Sequence, residues 1–247
     1  MLYEGVILKI EINNVSKSFG EKQVLKNITF TAIDGEILCL LGPSGSGKTT
    51  LIRLITGSLE CDAGEVIIDG IKVPHISLMK NIGFMPQSDA LYLDISGYDN
   101  MLFFGRLFGL YGKLLKQRAE ELFTLVDLSN ESNKLVINYS GGMKKRLSLA
   151  IALLHNPEIL ILDEPTVGID PVIRRVIWNQ FELLRQQGKI IIVSTHVMDE
   201  AERCQQAALI YNGNLIAHDK IENLKTQTKS GSIEELFFTA KEIGVNL

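Results

Sequence analysis

Gly42-Pro43-Ser44-Gly45-Ser46-Gly47-Lys48-Thr49 follows the apolar run Glu36–Leu41 (EILCLL) and opens a helix-like stretch, Lys48–Ile55. A short continuous apolar run that ends in a glycine-rich turn predicts a fully buried strand. Strand, loop and helix in this order are the context in which GxxxxGK[ST] cradles phosphate. Glycines let successive backbone N–H groups converge on phosphate oxygens, and the helix N-terminus adds partial positive charge. Lys48 is placed to reach the β- and γ-phosphates and the Thr49 hydroxyl to coordinate Mg²⁺, with Thr50 closing the segment. The stretch predicts a site for a nucleoside triphosphate.

A second segment completes the chemistry. Ile159-Leu160-Ile161-Leu162-Asp163-Glu164 is a buried apolar strand ending in two consecutive acids, a costly arrangement unless the charges meet a cation. Asp163 suits the magnesium sphere, and Glu164 suits orienting or deprotonating an attacking water.

Strand-like and helix-like stretches alternate on both sides of these segments. Ile7–Val15 and Val24–Ile33 alternate apolar and polar residues as half-buried strands do. Glu65–Ile68, Asp69-Gly70 and Ile71–Val73 predict a hairpin, because Asp-Gly supplies the positive φ angles of a type I′ turn; Ala207–Tyr211, Asn212-Gly213 and Asn214–Ala217 predict a second. Strand signals vanish between Leu91 and His155, where helices are expected near Gly97–Gly109, Leu114–Val126 and Gly142–His155. Beyond it come a helix from about Pro171 to Gln187, a buried strand at Ile190–Ser194, and an amphipathic tail helix at Ser232–Ile243. The pattern predicts an α/β fold with a mostly parallel sheet, an N-terminal antiparallel β subdomain and an inserted helical subdomain. A core of about residues 1–90 and 156–220, a helical block of about 91–155 and a tail helix of about 230–243 would together form one domain.

Composition narrows the function classes. The 247 residues are 46% hydrophobic and 22% charged, ordinary for a globular chain and unlike a disordered or collagenous one. With 25 Lys and Arg against 29 Asp and Glu the formal charge is −4, whereas a dedicated nucleic-acid binder is usually basic. The longest apolar runs fall far short of the roughly 20 residues that span a bilayer, and Glu4 stands where an export signal would carry Lys or Arg. Cys39, Cys61 and Cys204 are odd in number, without CxxC spacing, and fit core filling in a reducing compartment.

Tyr139-Ser140-Gly141-Gly142-Met143 resembles the signature motif of the ATP-binding cassette (ABC) ATPases, and the other marks of that family follow in order. Phe19 looks like the aromatic that stacks on adenine, Gln87 in Met85-Pro86-Gln87 like the Q-loop glutamine, Gly168-Ile169-Asp170 like the D-loop, and His196 like the switch histidine. The resemblance covers roughly residues 7–220 and implies a P-loop NTPase core. Met143 departs from the glutamine that most members carry. Tyr-Ser-Gly-Gly-Met, Glu164–Pro171 (EPTVGIDP) and Ile233–Phe237 (IEELF) resemble the branch serving drug, polysaccharide and lipid exporters.

The resemblance implies two ATP molecules held between two such chains, head to tail, each lying on Gly42–Thr50 of one subunit and capped by Ser140, Gly141 and Gly142 of the other. A second copy or a homologous ATPase subunit is therefore expected. It further implies that Lys48 and His196 stabilise the γ-phosphate, that Thr49, Gln87 and Asp163 hold Mg²⁺, and that Glu164 handles the water. ATP and Mg²⁺ are the expected ligands. The expected partner is a separate integral membrane permease, contacted by the helical block around Gln87–Met101 from the cytoplasmic face of the membrane, with no nucleic acid involved. An ABC ATPase of nucleic-acid or ribosome work is the alternative; two cassettes in one chain or a long coiled coil would mark it, and neither is found. A cassette that binds ATP without turnover would not need Lys48, Asp163, Glu164 and His196 intact.

Overall fold

The computed structural model describes residues 8–88 and 90–242. In chain order the elements are β1 (Lys9–Phe19), β2 (Lys22–Ile33), β3 (Ile37–Leu41), α1 (Lys48–Ile55), β4 (Ala63–Ile68), β5 (Ile71–Lys72), β6 (Ile82–Met85), α2 (Gly97–Leu107), α3 (Gly112–Leu125) and α4 (Gly141–Leu153). They continue with β7 (Ile159–Asp163), α5 (Pro171–Gln186), β8 (Ile190–Thr195), α6 (Met198–Ala201), β9 (Gln206–Tyr211), β10 (Asn214–Lys220), α7 (Ile221–Thr226) and α8 (Glu234–Glu242). Glu4, Ile7 and Ile243, on which parts of the sequence reading rest, lie outside the described residues. The chain divides into two compact units, one formed by the segments up to Ile76 and from Ile190 onward, the other by Ser77–Lys189.

In the first unit β2, β1, β4 and β5 form an antiparallel sheet. Ile10 and Ile12 of β1 lie opposite Ala32 and Phe30 of β2, and all four side chains are buried. The β1–β2 register slips between Ile12 and Val15, where Asn14 takes a φ of 50°. Asn is among the few side chains that tolerate this backbone. Beside this sheet β3 runs parallel to β8 on one side and to β9 on the other, and β10 returns antiparallel to β9. Every residue of β3 and β8 is buried, as expected of strands in a parallel sheet covered on both faces. The two hairpins turn as expected: Asp69-Gly70 and Asn212-Gly213 have φ of 49°, 76°, 48° and 81°.

In the second unit β6 and β7 pair in parallel, from Ile82 against Ile159 to Met85 against Leu162. The helical block begins with α2, whose N-cap Ser96 accepts from the Asp99 amide at 3.0 Å. Asn100 is fully buried and satisfies both ends of its amide: Nδ2 donates to the Tyr92 and Ser96 carbonyls, and Oδ1 accepts from the Tyr92 amide. From Leu147 onward α4 is buried on all sides, which explains why its sequence shows little amphipathic pattern. Strand β6 packs so closely on α4 that a Cβ on Gly83 would lie 2.2 Å from the Ala152 carbonyl oxygen. The α/β class, the antiparallel subdomain and the helical block are thus as the sequence predicts. Among the described residues no helix is long and apolar enough to cross a membrane. Cys39 and Cys204 are buried, Cys61 is half-buried, and all three are free thiols.

His155, just beyond α4, donates from Nε2 to the Ile82 carbonyl at 3.1 Å and stacks on Phe108 with ring centroids 3.8 Å apart. Its Nδ1 is buried without a hydrogen-bond partner. Burial pushes the imidazole below its ordinary value of 6.5; the Ile82 carbonyl opposes this shift and the Lys189 charge adds to it. The unfolded chain therefore takes up this proton first, so stability is lost as the pH falls through 6.5 toward the lower folded value. His218 on β10 is depressed by burial in the same sense. Acidification from about pH 7.5 to pH 5 is expected to lower the Tm of the wild type more than that of His155→Gln, as followed by circular dichroism. Equal slopes would remove His155 from the acid response.

Candidate functional site

The phosphate loop is shaped by what presses on it. A Cβ on Gly42 would lie 2.1 Å from the Ile210 carbonyl oxygen, so only glycine lets β9 approach the start of the loop. Gly47, the N-cap of α1, has a φ of 111°, which L side chains rarely adopt, and faces the Leu25 side chain and Val24 carbonyl of β2. The loop is further pinned by the Ser46 amide donating to the Pro43 carbonyl (3.2 Å) and the Gly213 amide donating to the Ser46 carbonyl (3.1 Å). On its open side, a Cβ on Gly45 would meet nothing within 4 Å. Pro43, Ser44 and Gly45 are exposed, Thr49 is exposed on the first turn of α1, and Thr50 beside it is half-buried.

Two features of this loop are those of an anion cradle. No side chain caps the amides at the start of α1, and Ser46 Oγ is buried with no hydrogen-bond partner. Lys48 is buried, and its ammonium donates to the Gly42 carbonyl (2.6 Å) and the Pro43 carbonyl (2.9 Å), which holds the charge at the loop. Phosphate oxygens would supply acceptors to the uncapped amides and to the orphaned hydroxyl.

His196 and Phe19 lie in the same unit. His196 is exposed directly after β8, on a turn fixed by Thr195, whose hydroxyl donates to the buried carboxylate of Glu200 (2.7 Å) and accepts from the Val197 amide (3.0 Å). Phe19 ends β1 with 49% of its surface exposed, and the Lys17 ammonium lies 5.8 Å from its ring centroid, within cation–π range. Lys17 is itself paired with Asp62 at 2.5 Å; that hydrogen bond and the Ser18 amide hold the Asp62 carboxyl below its usual range.

The second unit holds the remaining residues. Asp163 ends β7 and is 1% exposed. Glu164 follows with a φ of 51°, unusual for a non-glycine residue and a mark of local strain. Its Oε2 accepts from the Gln87 side-chain amide at 3.1 Å, which joins two residues 77 positions apart. Ser140 caps α4, with Oγ accepting from the Met143 amide at 3.3 Å; Ser140 and Gly141 are exposed and Gly142 is half-buried. The preceding Tyr139 is buried, donates its hydroxyl to the Glu131 carbonyl (2.7 Å), and titrates higher than usual because of that burial. Asp170 caps α5 by accepting from the Val172 amide at 2.8 Å.

Thr49, Gln87 and Asp163 offer a hydroxyl, an amide carbonyl and a carboxylate, the all-oxygen chemistry that a hard cation such as Mg²⁺ prefers. Among the described residues no group of three or more His, Cys, Asp or Glu side chains could hold a metal by itself. Sequence reasoning did not find the Thr195–Glu200 bond, the Gln87–Glu164 bond or the tie of Lys145 to the Val167 carbonyl (3.2 Å). Each joins residues whose types are common on surfaces, so only their proximity is informative.

A family model described as ABC transporter matches residues 25–167. The chain is 40% identical over 214 residues to the Nod factor export ATP-binding protein I of Sinorhizobium fredii, an alignment covering 85% of this chain and 62% of that one. The chain thus spans less than two thirds of that relative's length. It is similar to the structure of an ATP binding subunit of an ABC transporter, with a TM-score of 0.86 and 25% identity over 94% of this chain and 99% of the other. It is also similar to the dimeric structure of a post-hydrolysis state of an ATP-binding cassette bound to ADP and Pi, with a TM-score of 0.78 and 29% identity over 85% and 98%. A match over more than half the residues, with the glycine-cradled loop and the capped Ser-Gly-Gly helix both in place, settles the assignment: the chain belongs to the ABC transporter family.

Proposed function

We propose that this chain is the ATP-hydrolysing subunit of an exporter, working at the cytoplasmic face of a membrane as one of two ATPase subunits bound to a separate permease. The observation that carries the reading is the loop Gly42–Thr49, where uncapped α1 amides and the orphaned Ser46 hydroxyl await an anion beside the Lys48 ammonium. The dimeric form of a similar cassette supports a pair of ATPase subunits, and the export role named for the Sinorhizobium relative supports the direction.

Phosphoryl transfer asks a protein for positioning and charge stabilisation more than for covalent chemistry. Lys48 and His196 stabilise charge on the γ-phosphate, and Phe19 offers its exposed ring to the base. Thr49, Asp163 and the Gln87 carbonyl would be the oxygen donors for Mg²⁺, which when bound would neutralise phosphate charge. Glu164 orients the attacking water and receives its proton, while Gln87 holds one carboxylate oxygen in place. Ser140, Gly141 and Gly142 cap the nucleotide of the other subunit. The segment around Gln87–Met101 is the reading's permease contact, and Tyr92 and Leu93 within it are 47% and 42% exposed.

Glu164→Gln is expected to bind ATP as the wild type does while turnover falls by the ~10²–10⁴ of a lost general base. ATP is expected to trap this variant as a dimer on size-exclusion chromatography, and hydrolysis at the wild-type rate would overturn the role of Glu164. Ser140→Arg is expected to leave nucleotide affinity of the isolated subunit unchanged and to abolish ATP-driven dimerisation and hydrolysis. Loss of nucleotide binding by the isolated Ser140→Arg subunit would show that Ser140 serves the nucleotide of its own chain.

A further inference from the structure

The segment between Glu164 and Asp170 has to leave a buried strand, turn and start a helix within a few residues. Glu164 is left-handed, Thr166 is buried, the Ile169 amide donates to the Thr166 carbonyl (3.2 Å), and Gly168 turns with a φ of 78°. This turn brings two successive carbonyl groups, those of Val167 and Gly168, to one face of α4. A Cβ on Gly142 would lie 3.3 Å from the Gly168 oxygen, so that glycine already sits against the turn. Three residues on, and so on the same helix face, Lys145 donates from Nζ to the Val167 oxygen at 3.2 Å.

A lysine here has an alternative: its flexible stem could carry the ammonium into water, as lysines on helices usually do. Half-buried and directed at a carbonyl, it instead makes a charge-assisted hydrogen bond to backbone, which holds a main-chain atom rather than a mobile side chain. That atom lies three residues from Glu164 on a turn with little slack. Lys145 thus ties the helix that begins at Ser140 to the loop that begins at Glu164.

We infer that Lys145 is a positioning residue that couples the two nucleotide sites of the ATPase pair. The inference rests on the functional reading above, in which Ser140 touches the partner's nucleotide and Glu164 acts on its own. A helix drawn onto the partner's ATP then carries Val167, and with it Glu164, into place, so hydrolysis at one site senses occupancy of the other. Such coupling requires an element that both sites bias, and the α4–turn assembly is that element.

The test compares purified full-length wild type, Lys145→Met, which keeps the apolar length and loses the donor, and Lys145→Arg, which keeps a charged donor. Nucleotide affinity is read by a fluorescent ATP analogue, ATPase rate against ATP concentration, and Tm by circular dichroism. Lys145→Met is expected to bind nucleotide like the wild type, to lose roughly 10- to 100-fold in kcat, as small misplacements of catalytic groups do, and to lose cooperativity in ATP. Lys145→Arg is expected to restore most of the rate and the cooperativity. Wild-type kcat and cooperativity in Lys145→Met would overturn the assignment, as would a rate loss that Lys145→Arg fails to restore. Should Lys145→Met not fold, Lys145→Gln, a shorter neutral donor, is measured against the same outcomes. A wild-type chain that binds ATP but never hydrolyses it would overturn the functional reading instead, and the coupling with it.

Discussion

The nearness of main chain to main chain at Gly42 is the constraint on which the phosphate loop depends. A side chain there would collide with the Ile210 carbonyl at 2.1 Å, and relieving the collision would move β9 away from β3. Protein interiors are packed too densely to absorb such a shift locally. The loop that follows inherits its path from this contact, through the Gly213 amide on the Ser46 carbonyl and the left-handed Gly47 that aims α1 at the cradle. Binding chemistry here accompanies close packing: the start of α1 carries no side-chain cap, and the Ser46 hydroxyl is buried without a hydrogen-bond partner.

The same economy holds at the acids. Asp163 is buried at the end of β7, whose other four residues are apolar and which pairs with β6; Glu164, half-buried, follows in a backbone conformation that most residues avoid. Strain of this kind persists only where neighbours over-determine it. The Gln87 amide on its carboxylate and the held turn behind it are two such neighbours.

Much of this was legible in the sequence because the signals are local. The apolar runs of β3, β7 and β8, the two type I′ turns and the GxxxxGK[ST] loop each announce themselves within a few residues, and the elements expected from them begin within two residues of the expected bounds. Less legible were β1, which runs on to Phe19 through an irregular register, and α6, too short for a periodic signal. Within the site, side chains could be named but their partners could not. Nothing in the types of Thr195 and Glu200, or of Lys145 and Val167, says that they meet. Those contacts follow from where strands and helices come to rest, and a pattern of residue types carries no record of it.

One turn has a bearing on how the chain ages. Asn-Gly is the dipeptide most open to succinimide closure, in which the glycine nitrogen attacks the asparagine side chain and the amide is lost as ammonia, because no side chain shields that nitrogen. In Asn212-Gly213 the nitrogen is committed as a donor to the Ser46 carbonyl, and the Gly213 carbonyl accepts from the Lys26 amide at 2.8 Å. Held at both ends, the Gly213 main chain cannot swing onto the Asn212 side chain without breaking bonds to the phosphate loop and to β2. The fold thereby shelters a chemically fragile pair, and its deamidation is tied to local opening of the phosphate loop rather than to the mere exposure of a surface turn.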